Sequence, residues 1–177
     1  GIAVVLTIDV SGSMAGEPLA EAKAAAKALT ARLGTTDQAA VVSFSNQPAL
    51  VQGFTADKPA LDRAIDALAA GGNTALYAAV QASTQLAEQA PLPRRAVVLL
   101  SDGLEYGPGG GVSADQTLQL VAGSNTLFMT VGLGASVDSQ YLTNLARSGH
   151  GQYLVAPAPA DLQAVYTVTA DVLRQQY

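Results

Sequence analysis

The sequence predicts an α/β fold in which a doubly wound, mostly parallel sheet of six strands carries about six helices on its two faces. Strand-like and helix-like segments alternate from one end of the chain to the other, which is typical of parallel strands joined by helical crossovers. The apolar runs 2–8 and 96–100 are short and almost uninterrupted, as expected of strands buried on both faces. Together these two observations favour a sheet covered by helices on both sides.

The first half of the chain builds the predicted sheet outward from its first strand. Pro18 stands at a first helical position, and apolar residues then recur at helical spacing up to Gly34. The turn 46–48 joins two strands so closely that they form a hairpin, whose second strand is an antiparallel edge strand. The predicted elements are strand 2–8, helix 17–34, strand 38–45, strand 49–54, helix 59–68 and helix 74–89.

The second half repeats the alternation and ends in a helix. That last helix carries its apolar residues on one side, so it is expected to dock on the sheet. The predicted elements are strand 95–101, helix 114–121, strand 126–132, helix 139–147, strand 152–155 and helix 160–175.

Length and composition limit the class of protein. With 177 residues, the chain fits one domain, 1–177, and its immediate entry into a strand predicts a domain excised from a longer protein. A content of 49% apolar and 13% charged residues indicates a globular chain, and no apolar run approaches the ~18 residues of a membrane span, so no membrane insertion of this domain is expected. The net charge of −5 argues against nucleic acid as a partner, and the lack of cysteine excludes a thiolate metal site.

Oxygen-bearing side chains follow two of the predicted buried strands. Asp9, Ser11 and Ser13 come directly after the first strand, Asp102 ends the strand 95–101, and Thr74 begins a helix after Gly71, Gly72 and Asn73. Ligands of α/β sheets bind outside the carboxyl ends of the strands, and hard oxygen donors suit Mg²⁺, Mn²⁺ or Ca²⁺. Mg²⁺ is favoured because a site of small donors leaves its tightly held waters in place. Taken singly, the Asp-Ser segment also fits an ordinary turn, and Thr74 fits a helix cap.

The three segments Asp9-Val10-Ser11-Gly12-Ser13, Gly72-Asn73-Thr74 and Ser101-Asp102-Gly103 together resemble the von Willebrand factor type A domain family and its metal-ion-dependent adhesion site. All five positions of the D-x-S-x-S, T and D pattern are filled in order, and the resemblance extends over essentially the whole chain. It implies a Rossmann-like fold with an intact adhesion site. It also implies that Ser11, Ser13 and Thr74 coordinate the metal through their hydroxyls, while Asp9 and Asp102 act through water or by direct contact.

The resemblance implies a binding module and not an enzyme. The metal would present an open coordination position to an Asp or Glu carboxylate of a protein partner, as in cell adhesion. We expect a bacterial member of the family that is extracytoplasmic, at the cell surface or secreted. We also expect the site to lie on surface loops, so that Asp9→Ala leaves the fold largely intact.

Two other functions remain open from the sequence. An Asp that closes the first strand can serve as the nucleophile of a Mg²⁺-dependent hydrolase or phosphotransferase, although such enzymes usually carry a second Asp where this chain has Ser11. A Ser-His-Asp hydrolase would have to use His150, the single histidine. Family relatives also serve as intracellular assembly subunits of chelatase or AAA-type complexes, and the sequence does not separate this role from adhesion.

Two features near Asp102 have simpler interpretations. The run 107–111 is rich in glycine but lacks the following Lys-Ser or Lys-Thr of a phosphate loop, so it predicts a surface loop. Glu105 lies beside the metal face and could modulate the partner surface, but the simpler prediction is a solvated loop acid.

Overall fold

Six strands form one sheet in the computed structural model, which describes residues 1–107 and 111–176. The strands are β1 Ile2–Asp9, β2 Gln38–Phe44, β3 Pro48–Thr55, β4 Arg94–Ser101, β5 Leu127–Leu133 and β6 Tyr153–Ala156. They lie side by side in the order β3-β2-β1-β4-β5-β6. All neighbours are parallel except β3, which pairs antiparallel with β2 at one edge. The predicted mixed sheet with an antiparallel edge hairpin is therefore confirmed.

The sheet is covered on both faces by six α-helices within the part of the chain that the structure describes. They are α1 Glu17–Ala31, α2 Lys58–Asp66, α3 Leu76–Glu88, α4 Ala114–Gly123, α5 Ser139–Ser148 and α6 Leu162–Gln176. Leu6 points into the core under α1, α2 and α6, whereas its neighbour Val5 points into the core under α3, α4 and α5. Successive residues of β1 thus pack against helices on opposite faces of the sheet. This is why β1 is apolar at most of its positions.

The central strands bring the predicted site residues to one edge of the sheet. β1 lies between β2 and β4, and the register places Ile8 opposite Leu100 and Asp9 opposite Phe44. The segments that follow β1, β2 and β4 therefore leave the sheet together. We call this the carboxyl edge, which comprises the ends of the parallel strands and the loops 10–16, 45–47, 67–75, 102–107, 134–138 and 157–161.

The predicted boundaries lie within three residues of the observed ones, and two of the differences have a clear structural cause. The helix expected from Thr74 begins at Leu76, because the backbone of Thr74 forms an antiparallel bridge with Tyr106 and is not part of the first turn. The last helix begins at Leu162, after a separate 3₁₀ turn over Pro159–Asp161. Residues 108–110 of the predicted glycine-rich surface loop lie outside the described residues. Among the described helices, none is long and apolar enough to cross a membrane.

Candidate metal centre

Asp9 lies at the end of β1 and is fully buried. Its Oδ1 accepts hydrogen bonds from the backbone N–H of Ser11 at 2.9 Å and from the Ser11 hydroxyl at 2.6 Å. Its Oδ2 accepts from the Ser101 hydroxyl at 3.2 Å and from the Asp102 N–H at 3.4 Å. The expectation that Asp9 lies on a surface loop is therefore wrong, because its carboxylate holds the ends of β1 and β4 together.

The first loop presents its two serines through a single 3₁₀ turn, Gly12–Met14. The Ser11 and Ser13 hydroxyl oxygens lie 3.2 Å apart, Ser11 is buried and Ser13 is exposed. Met14 is fully buried and anchors the turn in the core. The two hydroxyls thus lead from the Asp9 carboxylate towards solvent.

The second loop is attached to the first by backbone hydrogen bonds. Gly12 N–H donates to the carbonyl of Gly72 at 3.0 Å, and Gly71 N–H donates to the carbonyl of Val10 at 2.8 Å. Gly72 has a φ of 86°, and a Cβ there would come within 2.9 Å of Oδ1 of Asn46. Glycine is required at this position because both the left-handed backbone and the close contact exclude a larger residue.

Thr74 connects the second loop to the loop that follows β4. It exchanges two backbone hydrogen bonds with Tyr106, at 3.1 and 3.0 Å, and its side chain is largely buried. Asp102, at the start of the same β4 loop, contacts Asp9 through its backbone N–H. The structure therefore brings Asp9, Ser11, Ser13, Thr74 and Asp102 to the carboxyl edge on three mutually attached loops.

The carboxylates of Asp9 and Asp102 carry negative charge that no basic side chain of the neighbouring loops compensates. Burial, with a smaller contribution from the nearby Asp102 carboxylate, raises the pKa of Asp9 to about 6 against the opposing hydrogen bonds from Ser11 and the Asp102 N–H. Oδ1 of Asp102 is buried and has no hydrogen-bond partner. In the sequence, none of the nine Lys and Arg residues falls in the loops of the carboxyl edge. A bound cation would satisfy both carboxylates, so the residues present fit a hard divalent metal ion.

The candidate centre differs from metal sites whose ligands are mainly His, Cys, Asp or Glu side chains. Among residues 1–107 and 111–176, no group of three or more His, Cys, Asp or Glu side chains is placed to hold a metal ion. The candidate centre instead combines two carboxylates with three hydroxyls, which are all hard oxygen donors.

Two residues have roles that the sequence did not predict. Ser101 donates to Asp9, a role indicated only by its position at the end of β4 beside Asp102. Glu105 is not a solvated loop acid: it is half-buried, and its Oε1 accepts the backbone N–H of Tyr77 at 2.8 Å in the first turn of α3. Burial raises the pKa of Glu105, while its hydrogen bonds with the backbone N–H groups of Tyr77 and Leu76 oppose that rise. Since the residue before α3, Ala75, provides no side-chain cap, Glu105 provides one from another loop.

His150 lies far from this constellation. It is exposed and adopts a φ of 58° just after α5. Its neighbour Gly149 accepts a hydrogen bond from the backbone N–H of Phe128, the second residue of β5. His150 therefore lies near the amino ends of the strands, at the opposite edge of the sheet from Ser11 and Asp102.

Comparison with known proteins gives a family match for this region. A family model for the von Willebrand factor type A domain matches residues 4–105, a range that contains all five predicted site residues. An uncharacterised protein of Synechocystis sp. is 32% identical over 164 residues, covering 88% of this chain and 38% of that protein. The chain thus spans well under half the length of this relative.

Solved structures share the fold at low sequence identity. A von Willebrand factor type A protein from Catenulispora acidiphila aligns with a TM-score of 0.84 and 24% identity, over 95% of this chain and 41% of that chain. Proximal thread matrix protein 1 from the mussel byssus, with a zinc-occupied metal-ion-dependent adhesion motif, aligns with a TM-score of 0.82 and 19% identity, over 97% of this chain and 45% of that chain. At these identities the likeness shows the fold alone.

Proposed function

Because the chain belongs to the von Willebrand factor type A domain family, we propose that it is a metal-dependent protein-binding module whose metal is held by Asp9, Ser11, Ser13, Thr74 and Asp102. Domains of this family generally mediate protein–protein interactions. One observation carries the proposal: the buried Asp9 carboxylate and the half-buried Asp102 lie at the same edge as three hydroxyls, and Oδ1 of Asp102 is buried without a protein partner. These residues form the intact adhesion-site pattern.

The hydrogen bonds support a division of roles among these residues. The Ser11 hydroxyl donates a hydrogen bond to Asp9. The lone pairs of the Ser11 oxygen therefore remain available to a cation. Both oxygens of Asp9 already accept hydrogen bonds, so Asp9 orients Ser11 and supplies negative charge. Oδ1 of Asp102 is the least satisfied acceptor of the site. When bound, a divalent ion would supply positive charge and an open coordination position for an Asp or Glu carboxylate of the partner.

We propose Mg²⁺ as the resident ion, with Mn²⁺ and Ca²⁺ as the nearest alternatives. The donors are small, hard oxygens, and only two of the five are charged, which suits an ion that retains several waters. Zinc is a further candidate to test, since it occupies the corresponding motif of the mussel byssus protein.

Three observations support binding without catalysis. Asp9 is fully buried with both oxygens engaged, which is unfavourable for a nucleophile that must reach a substrate. Ser11 stands where a phosphotransferase would carry a general acid, and it is hydrogen-bonded to Asp9. His150, which a Ser-His-Asp hydrolase would need, lies at the opposite edge of the sheet.

We propose that binding takes place outside the cytoplasm, at a bacterial cell surface or on a secreted protein. This location follows from the resemblance to adhesion domains, and fractionation of the source cells tests it. Recovery of the full-length protein with a cytoplasmic AAA-type complex would favour the assembly-subunit alternative.

Calorimetric titration of metal-stripped protein tests the site itself. Mg²⁺, Mn²⁺, Ca²⁺ and Zn²⁺ are titrated separately into the wild type, Asp9→Asn, Ser11→Ala/Ser13→Ala and Thr74→Val. We expect saturable binding of one ion per chain, which every variant weakens because each removes one or two oxygen donors or a negative charge.

Asp138→Asn is the matched control. Asp138 is an acid at the same edge that caps α5 through the backbone N–H of Tyr141, and asparagine caps a helix equally well. Its metal affinity should equal that of the wild type. Absence of saturable binding by the wild type would refute the proposed metal site.

A further inference from the structure

We propose that Leu104 and Tyr106 form an apolar contact surface beside the metal centre. This surface selects partner segments in which the metal-binding carboxylate is flanked by apolar or aromatic side chains and not by acidic ones. The inference rests on the proposed metal-dependent binding and specifies the chemistry of the partner.

Both side chains are largely exposed to solvent. Leu104 is 55% and Tyr106 is 70% exposed, although a folded domain of this size buries most of its large apolar side chains. They follow Asp102 by two and four positions in the loop after β4, so they lie on the carboxyl edge. Exposed apolar side chains beside a polar site are characteristic of binding surfaces.

The backbone places Tyr106 next to a proposed metal ligand. Thr74 and Tyr106 are directly opposed in an antiparallel bridge and exchange both backbone hydrogen bonds. Side chains of directly opposed residues project to the same side, with Cβ atoms about 5 Å apart. The exposed ring of Tyr106 therefore stands beside the side chain of Thr74, within reach of residues that flank a carboxylate bound at the metal.

Glu105 holds this surface in place. It lies between Leu104 and Tyr106 and turns inward to the backbone N–H of Tyr77, 2.8 Å away. With residue 105 directed towards α3 and residue 106 bridged to Thr74, the loop cannot easily bury its two apolar side chains. A surface fixed before binding loses little conformational freedom when a partner arrives, which favours its use in recognition.

The charges of the carboxyl edge disfavour an acidic partner segment. No Lys or Arg occurs in its loops, so these loops offer no side-chain cation to a second carboxylate. Three further acids at this edge each use one oxygen to hold the backbone of the domain. Glu105, Asp138 and Asp161 each accept a backbone N–H, from Tyr77, Tyr141 and Ala158 respectively. One carboxylate within an apolar segment therefore matches the site better than an acidic run does.

A displayed peptide library tests this selectivity. The library carries a fixed central Asp with randomised positions on both sides; it is bound to the immobilised domain in Mg²⁺ and eluted with EDTA. We expect apolar and aromatic residues to be enriched next to the Asp, and acidic residues to be depleted. A winning peptide should bind about tenfold more tightly than its glycine-flanked version, as for a single well-packed contact residue.

Two variants test whether the proposed surface causes the preference for apolar flanking residues. Leu104→Ser/Tyr106→Ser changes only exposed side chains, so it should fold, keep the wild-type metal affinity in calorimetry and lose about tenfold in affinity for the winning peptide. Val168→Ser, which changes an apolar side chain 47% exposed on α6, should leave both affinities unchanged.

The outcomes separate this inference from the proposed function. Metal binding without peptide enrichment, or with enrichment of charged flanking residues, would overturn the apolar surface and leave the metal site standing. Equal loss of peptide binding in the double variant and in Val168→Ser would also overturn it. Failure of the wild type to bind metal would overturn the proposed function, and this inference with it.

Discussion

Oδ1 of Asp102 is buried without a hydrogen-bond partner, close to Asp9, whose pKa burial raises to about 6. Two neighbouring carboxylates at a partly buried site repel each other when no cation is present. We predict that Asp102→Asn increases the free energy of unfolding by about 1 kcal/mol in EDTA, because it removes this repulsion. In saturating Mg²⁺ the sign should reverse, since the variant loses the stabilisation that bound metal gives the wild type.

Urea denaturation in the two buffers measures both effects. Asp138→Asn should change the free energy of unfolding little in either buffer, since asparagine replaces aspartate as a cap at that position. An equal change for Asp102→Asn in EDTA and in Mg²⁺ would show that its carboxylate does not respond to the metal.

Two buried tyrosines provide a second prediction at the residue scale. The hydroxyl of Tyr166 is buried without a hydrogen-bond partner, whereas that of Tyr141 lies 2.6 Å from the Thr117 hydroxyl. Tyr166→Phe should therefore leave the free energy of unfolding unchanged or increase it by up to ~1 kcal/mol, and Tyr141→Phe should decrease it by about 1 kcal/mol. Urea denaturation of both variants checks this, and an equal loss in both would contradict it.

At the scale of elements, the loop after β4 and helix α3 depend on each other. α3 has no side-chain cap from its own preceding residue, and Glu105 supplies one from the loop that also carries Asp102. We predict that Glu105→Ala lowers the free energy of unfolding by about 1 kcal/mol, as loss of a helix cap does. It should also weaken metal binding, because Thr74 and Asp102 lose a connection between the elements that hold them.

Urea denaturation and metal calorimetry of the same sample measure the two effects. Glu88→Ala, which removes an exposed acid at the other end of α3, should leave metal affinity unchanged. If Glu105→Ala destabilises the protein without weakening metal binding, the Thr74–Tyr106 bridge alone is sufficient to position the loop.

At the scale of the whole molecule, both helix layers pack on one sheet, and the candidate metal centre lies at the edge of its central strands. We predict one cooperative thermal transition for residues 1–177 that shifts upwards with metal. At 100 times the dissociation constant the stabilisation should be about 2.7 kcal/mol. Differential scanning calorimetry checks this through the agreement of calorimetric and van't Hoff enthalpies.

Thr74→Val gives the control for that shift. It removes one proposed donor oxygen and preserves the shape of a largely buried side chain, so its transition should move less with metal than that of the wild type. Two separate transitions, only one of them responsive to metal, would contradict a single cooperative domain.

The order of strands and helices could be predicted from the sequence because periodicity and apolar runs are local properties. β1 is apolar at six of its eight positions and β4 at the five consecutive positions 96–100, as buried parallel strands require. The types of donor at the candidate site are also local, since Asp9, Ser11 and Ser13 lie within five residues of one another. Local spacing did not predict the backbone conformation of Thr74, because its bridge to the distant Tyr106 keeps it out of the helix that begins at Leu76.

The sequence by itself therefore determined the fold class, the edge of the sheet where the site lies and the oxygen chemistry of that site. Only the tertiary structure decided that Asp9 is buried, that Asp102 lacks a partner, that Glu105 caps α3 and that Tyr106 stands beside Thr74. The physical reason is separation along the chain. Ser101 is 92 residues from Asp9, and Glu105 is 28 from Tyr77, so burial and hydrogen bonding at these positions arise only when distant segments pack together.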